Sequence, residues 1–187
     1  MNQDIEQLIE ELTQVKAYPD MFEKAYPGEG INEHTITKAL ASFQRSIVTG
    51  ESAFDRWVMG DEQAISESAK RGFALFEGKA NCSACHHGFN FSDGSFHNIG
   101  LHDDSDPGRY AILPVPVLRG AFKTPTLRNL QETAPYMHND VYLNLTEVIE
   151  HYNQGGMTDN SIDPNMRPLF LSEQEKKDLL AFLDSLN

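Results

Sequence analysis

Apolar residues recur at helical spacing wherever the chain shows a readable period. Ile5, Leu8, Ile9, Leu12 and Val15 share one face, and Tyr18-Pro19 predicts the end of that helix. A second helix reads from about Thr35, with Ile36, Leu40, Phe43 and Ile47 inward and Gly50 as its C-terminal cap. Ser52 to Gly60 reads as a connector carrying Phe54 and Trp57. A third helix spans about Glu67 to Glu77, burying Ala69, Phe73 and Phe76, and Gly78 follows as a stop. The period then fails from Ala80 to about Tyr142, where Gly, Pro, Asp and Asn are frequent. It returns at Asn144, which with Glu147 resembles an N-cap and its N3 partner. Leu145, Val148, Ile149 and Tyr152 share a face there, and Gly155-Gly156 stops the helix. A last helix begins at Ser172 and buries Leu179, Leu180, Leu183 and Leu186. No strand pair is convincing, so the expected class is all-α, with long irregular loops that need something to wrap around. The expected organisation is a single domain, 1–187, with a helical lead-in over 1–60 packing on a binding core over 61–187.

Length and charge narrow the function. The chain has 187 residues, 28 acidic and 15 basic side chains and a net charge of −13. That suffices for one hydrophobic core, and it excludes a general nucleic-acid binder, which needs a basic surface. No apolar run suggests a membrane span. Met1-Asn2-Gln3-Asp4 lacks the basic and apolar regions of a secretory signal. An acidic surface favours a basic contact patch on any redox partner.

The two cysteines stand in Cys82-Ser83-Ala84-Cys85-His86. Cys-x-x-Cys-His is the attachment signature of c-type haem. Its spacing lets two thiols add across the haem vinyl groups while the adjacent His86 reaches the iron as proximal ligand. A structural zinc site would need four ligands, and no second pair has finger-like spacing. An iron–sulfur cluster normally needs four thiolates. A thioredoxin-like pair would need a βαβ context. Haem would also supply the apolar centre missing from the irregular middle. Both thiols are then consumed, and maturation outside the cytoplasm is expected, the chain being a mature form or an excised piece.

Several ordered motifs resemble the bacterial di-haem cytochrome c peroxidase and MauG family. They are Ala39-Leu40-Ala41-Ser42-Phe43-Gln44-Arg45, Phe54-Asp55-Arg56-Trp57 and Arg71-Gly72-Phe73-Ala74-Leu75-Phe76. The most specific are Phe122-Lys123-Thr124-Pro125-Thr126-Leu127-Arg128-Asn129 and Thr133-Ala134-Pro135-Tyr136-Met137-His138. Leu145-Thr146-Glu147-Val148-Ile149-Glu150-His151-Tyr152-Asn153 follows. The resemblance is to the C-terminal haem domain, which implies a cytochrome c-like helical fold, one covalent haem c and a role in relaying electrons. It further implies an N-terminal haem domain or subunit as partner, where hydrogen peroxide reacts, a small redox protein as donor or acceptor, and a periplasmic location.

The second iron ligand is open among Met137, Met157, Met166, His87, His97, His102, His138, His151 and Tyr152. In the peroxidases it is a methionine fourteen residues after the histidine of the Pro-Tyr-x-His motif. That count from His138 reaches Tyr152, resembling the MauG variant, and a phenolate there would stabilise ferric iron. A buried tyrosine is more often a core residue with a satisfied hydroxyl; Met157 is the runner-up. The resemblance also implies that His138 stands near the haem environment and the domain interface as a catalytic candidate, the alternative being a surface or hydrogen-bonded structural histidine. It implies too that the carbonyls of Thr133 and Pro135 contribute to a calcium site. Two carbonyls alone are an incomplete set for that ion. Asp140 stands where the family has glycine, and Asp tolerates a left-handed turn. Arg109, Arg119, Lys123 and Arg128 are basic residues near the expected haem, and Arg128 is the preferred partner for a propionate. Trp57 lies either near an electron route or simply in an aromatic packing cluster. The competing functions are half of a redox enzyme, a stand-alone mono-haem electron carrier, and a metal-stabilised interaction domain without haem.

Overall fold

The first helix, α1 (Ile5–Gln14), is capped by Asp4, whose side chain accepts from the Gln7 backbone N–H. A second helix, α2 (Ala17–Ala25), follows almost at once and contains Tyr18-Pro19. The predicted stop is therefore a first turn. Proline is tolerated there because the first N–H groups of a helix have no intrahelical partner. The third helix, α3 (Glu33–Ser46), starts at a capping box between Asn32 and Thr35 and is closed at Ile47. It begins earlier than predicted and ends before Gly50, which is not its cap. Of the residues read as inward on it, Ile36 is buried, but Leu40, Phe43 and Ile47 are exposed. These helices form a unit of their own, Met1–Val48, and so small a unit cannot cover every apolar stripe it carries. The computed structural model describes residues 3–48, 50–101, 105–157 and 161–187; His102 lies outside the described residues.

The second unit is Thr49–Asn187. Ser52 and Asp55 form a capping box that starts α4 (Ala53–Val58), so Ser52 to Gly60 belongs with this unit rather than with a lead-in ending at residue 60. The reason is aromatic packing. Phe54 lies 5.1 Å from Phe73, 5.4 Å from Phe182 and 5.6 Å from Phe91 between ring centroids, and Trp57 contacts both Phe54 and Phe73. Trp57 Nε1 also donates to Glu62 at 3.3 Å. Helix α5 (Glu67–Glu77) has the predicted bounds and the predicted stop at Gly78, and the structure adds Ser66 as its N-cap. Helix α7 (Glu173–Asp184) starts at a capping box of Ser172 and Glu175.

Helices α5 and α7 pack backbone to backbone at Gly72. A Cβ there would collide with the Asp178 carbonyl and lie 2.8 Å from the Phe182 Cβ. The contact is reinforced by Arg71, whose Nε and Nη2 donate to Asp178 at 2.9 Å each. We expect Gly72→Ala to destabilise this unit by about 3 kcal/mol, since neither helix backbone can yield without losing the core contacts. Denaturant unfolding measures it, and an unchanged midpoint would contradict the packing.

Helix α6 (Leu145–Gln154) begins at Asn144, whose side chain accepts from Glu147 N, and ends at Gly155 with φ +85°. Its Glu147 carboxylate receives the Leu143 N–H rather than that of Asn144. Between α5 and α6 the backbone is irregular, as expected, with single 3-10 turns at Cys82–Ala84, Arg109–Ala111, Pro116–Leu118 and Leu130–Glu132. One antiparallel pair does exist, β1 (Phe96–His97) with β2 (Phe122–Lys123), placing Phe96 opposite Lys123 and His97 opposite Phe122. Strands this short contain too few positions to show a period of two. The all-α class holds.

Candidate functional site

The irregular segment surrounds a cavity of about 600 Å³, within the roughly 300–1,000 Å³ of cofactor sites. The Cys82–His86 turn forms part of its wall, with Val148, Ile149 and Tyr152 of α6, Leu179 and Leu183 of α7, and the stretch from Phe122 to Arg128. Most of that wall is apolar. The predicted core of the irregular middle is therefore a space rather than side chains.

The cysteine turn is built by its backbone. Asn81 takes a left-handed conformation (φ 53°) before the 3-10 turn, and the N–H groups of Cys85 and His86 both reach the Cys82 carbonyl. This puts both thiols and the imidazole on the cavity wall. His86 Nδ1 lies 2.9 Å from the Phe91 carbonyl. A carbonyl only accepts, so Nδ1 carries the hydrogen and Nε2 keeps its lone pair free, the arrangement in which imidazole binds a metal. Burial pushes the His86 pKa below its ordinary value, against the opposing pull of the Phe91 carbonyl and Asp93. The same cause pushes the Cys82 thiol up to about 12 and the Cys85 thiol up to about 11. Phe91, which supplies that carbonyl, was not legible as a functional residue. Its contribution is a main-chain atom and leaves no side-chain signature.

Tyr152 lines the same cavity. It is half-buried. Desolvation, followed by the two cysteines, raises its pKa above the ordinary tyrosine value. Met157 is 51% exposed and does not line the cavity, whereas Met137 and Met166 do. The runner-up assignment thus loses its geometric basis. His151, buried beside Tyr152, has both ring nitrogens engaged, Nε2 with the Ile99 carbonyl at 2.8 Å and Nδ1 with the Tyr142 hydroxyl at 3.1 Å. His87 is exposed with Nδ1 3.1 Å from the Ser83 carbonyl. His138 lies flat on Phe122, centroids 3.5 Å apart at 11°, and both rings border the cavity.

Arg128 differs from its predicted role. It is 4% exposed, and its Nη1 and Nη2 donate to the two carboxylate oxygens of Asp55 at 2.8 Å each while Nε donates to the Phe89 carbonyl at 2.7 Å. Its guanidinium also lies 4.3 Å over the Phe89 ring. Arg128 reaches the cavity wall, but its planar fork is matched to Asp55, leaving no bidentate face for a propionate. The hydrogen bond from Arg128 holds the Asp55 carboxyl well below the usual range. Lys123 and Arg167 border the cavity as well.

A second charged cluster joins Asp93, His97 and Asp163. His97 Nε2 is 2.8 Å from Asp93 and Nδ1 is 2.6 Å from Asp163. Burial alone would lower His97, but the two carboxylates outweigh it and raise its pKa. Asp93 is held down to about 2 by His97, Thr124 and the Ser95 N–H, against its own burial. Cys85, Asp93 and His97 form a close set, and nothing in their linear spacing marked it. Thr133 and Pro135 lie on the cavity border, and among the described residues neither carbonyl accepts a hydrogen bond.

A cytochrome c family model matches residues 69–187. The chain belongs to the cytochrome c family. Its first 63 residues match the di-haem cytochrome c peroxidase model. The methylamine utilization protein MauG of Methylorubrum extorquens is 47% identical over 189 residues, covering 100% of this chain and 54% of that protein. The cytochrome-c peroxidase IdrP1 of Pseudomonas sp. (strain SCT) is 35% identical, over 92% of this chain and 54% of its own. Among solved structures, a MauG-like protein associated with microbial copper homeostasis superposes with a TM-score of 0.84 at 30% identity, covering 97% of this chain and 61% of that one. The cytochrome spans about half the length of the curated relatives it matches, on their C-terminal side. Membership implies a covalent haem c. The residues present fit it: an apolar cavity of suitable size, two thiols on its wall and an imidazole with Nε2 free. No helix among the described residues is long and apolar enough to cross a membrane.

Proposed function

We propose that this cytochrome carries one haem c, tethered by Cys82 and Cys85 with His86 as proximal ligand, and serves as the electron-transfer half of a peroxide-dependent oxidoreductase. The haem supplies one-electron redox chemistry when bound. The observation carrying the reading is the convergence of both thiols, the oriented His86 and Tyr152 on one apolar cavity. Phe91 fixes the imidazole tautomer, and the leucines of α7 exclude water. Tyr152 is assigned as the second iron ligand, since it lines the cavity and Met157 does not. Tyr152 would hold the iron through its phenolic oxygen, as a phenolate.

In this reading a companion haem domain receives hydrogen peroxide and a small redox protein exchanges electrons with the chain. His138 acts near the junction with that companion, a role supported by its position on Phe122 at the cavity border. Thr133 and Pro135 offer carbonyls free to join further oxygen ligands around calcium. The location is periplasmic, where thioether attachment is completed. The stand-alone mono-haem carrier is the alternative.

Purified protein should show a Soret band, and Cys82→Ser/Cys85→Ser should leave haem extractable by acid and organic solvent. Absence of the band would overturn the haem assignment. Peroxide added with a reduced donor separates the two functions. No donor oxidation by this chain alone, and turnover once the companion domain is present, is the result expected of an enzyme half.

A further inference from the structure

Between Asp106 and Glu132 the chain has no acidic residue, although it has 28 in all, and carries Arg109, Arg119, Lys123 and Arg128. The first part of this stretch is a closed loop. Gly108 bridges Ala121, Arg109 N donates to the Ala121 carbonyl at 2.8 Å, and Gly120 N donates to the Pro107 carbonyl at 3.0 Å. Gly108 has φ +62°, and a Cβ there would lie 2.6 Å from the Ala121 oxygen, so the closure requires glycine. Pro114, Pro116 and two 3-10 turns stiffen the loop.

A compact surface loop with its ends together usually packs its own side chains inward. This one turns them out: Ile112 is 73% and Val117 66% exposed, and Leu113 and Val115 are exposed too. Two cations flank them, each resting on a ring. The Arg109 guanidinium lies 4.6 Å over Phe96 and that of Arg119 lies 4.7 Å over Tyr110. The ion pairs among the described residues use other cations. Stacking holds both guanidinium forks while leaving their N–H edges to an incoming carboxylate. The loop runs directly into the cavity wall at Gly120, Phe122 and Lys123.

We propose that the loop closed between Gly108 and Ala121 is the docking face for a separate redox protein whose contact surface is an apolar centre ringed by carboxylates. Apolar side chains within a charged rim suit a small, transient electron-transfer contact, and the local charge selects an acidic partner. This reverses the expectation drawn from the net charge of −13. That figure averages over the chain, whereas docking senses the charge within about 10 Å of the contact. The proposal rests on the haem reading. Failure of that reading appears as a missing Soret band before any partner is added, and failure of this one leaves the band intact.

The test uses the haem-loaded, reduced chain. Ferricyanide, an anionic oxidant, takes one electron from the ferrous haem, giving ferric haem and ferrocyanide. Arg109→Glu/Arg119→Glu should slow this step roughly tenfold or more at low salt and speed oxidation by the cationic tris(phenanthroline)cobalt(III). Arg56→Glu/Lys177→Glu, with the same change in net charge away from the cavity wall, should do neither. Flavodoxin, an acidic one-electron carrier, serves as the protein probe. It should bind at low salt, and Ile112→Ser/Val117→Ser should weaken it roughly tenfold with the haem spectrum unchanged. Equal rates in the two charge variants, or no flavodoxin binding, would overturn the proposal. So would a dimer abolished by Ile112→Ser, or protection of 109–119 from hydrogen exchange by a covalently linked companion domain without a partner.

Discussion

Tyr152→Phe will move the ferric haem of this cytochrome to a high-spin spectrum and raise its reduction potential. The sign follows from the ligand. A phenolate donates charge to the iron and stabilises the ferric form, so its removal favours the ferrous form. Phenylalanine keeps the ring that packs beside His151, 5.6 Å away, so the fold should persist and the change should be confined to the iron. A Tyr152→Met variant, with a thioether ligand, should raise the potential further and restore a low-spin spectrum. Absorption and electron paramagnetic resonance of the ferric protein measure the spin state, and a redox titration measures the potential. A ferric spectrum identical to that of the parent would remove Tyr152 from the iron and direct attention to Met137 or Met166, which share the wall.

Arg128→Ala will cost about 3–5 kcal/mol, the range for breaking a buried ion pair by removing one partner. Asp55 would be left with its carboxylate largely enclosed, its side chain 16% exposed, and Phe89 would lose its stacked cation. The paired replacement Arg128→Met/Asp55→Leu should recover part of that loss, because no charge then stays buried alone, although the Ser52 N–H and hydroxyl lose the Asp55 carboxylate that caps α4. Covalent haem should persist in both. A single variant of parental stability but altered haem potential would return Arg128 to the propionate role read from the sequence.

The same pair sets an acid limit. The native Asp55 and Asp178 carboxyls are held well below their ordinary values, by hydrogen bonds from Arg128 and from Arg71 first of all. Depressed native values mean that the stabilisation is complete above the unfolded value of about 4 and is lost as pH falls through the native values. Unfolding free energy should therefore decline progressively below about pH 4. In the paired replacement that decline should be shallower, because Asp55 no longer contributes.

Much of the helical frame was legible because its signals are local. Helix α5 and its Gly78 stop, α6 between Asn144 and Gly155, and α7 from Ser172 each combine a cap with a run of period 3.6. The misreadings came where a local sign has two meanings. Pro19 can end a helix or occupy its first turn, and the chain before it does not say which. Leu40, Phe43 and Ile47 mark an apolar face on α3, but a pattern cannot report whether anything covers it.

By itself the sequence determined the chemistry of attachment. Cys82, Cys85 and His86 stand within five consecutive residues, a spacing that is the attachment signature of c-type haem, so no tertiary information was needed to read it. Tertiary structure alone decided what surrounds that group. Asp55 and Arg128 lie far apart in the chain, and only folding turned a presumed propionate partner into a closed ion pair. The Phe91 carbonyl on His86 and the cavity that includes Tyr152 but not Met157 depend on how loops return through space. So does the position of the outward-facing loop beside the cavity of an acidic protein. Contacts across the chain are set by packing, and residue order records packing only where a local motif happens to report it.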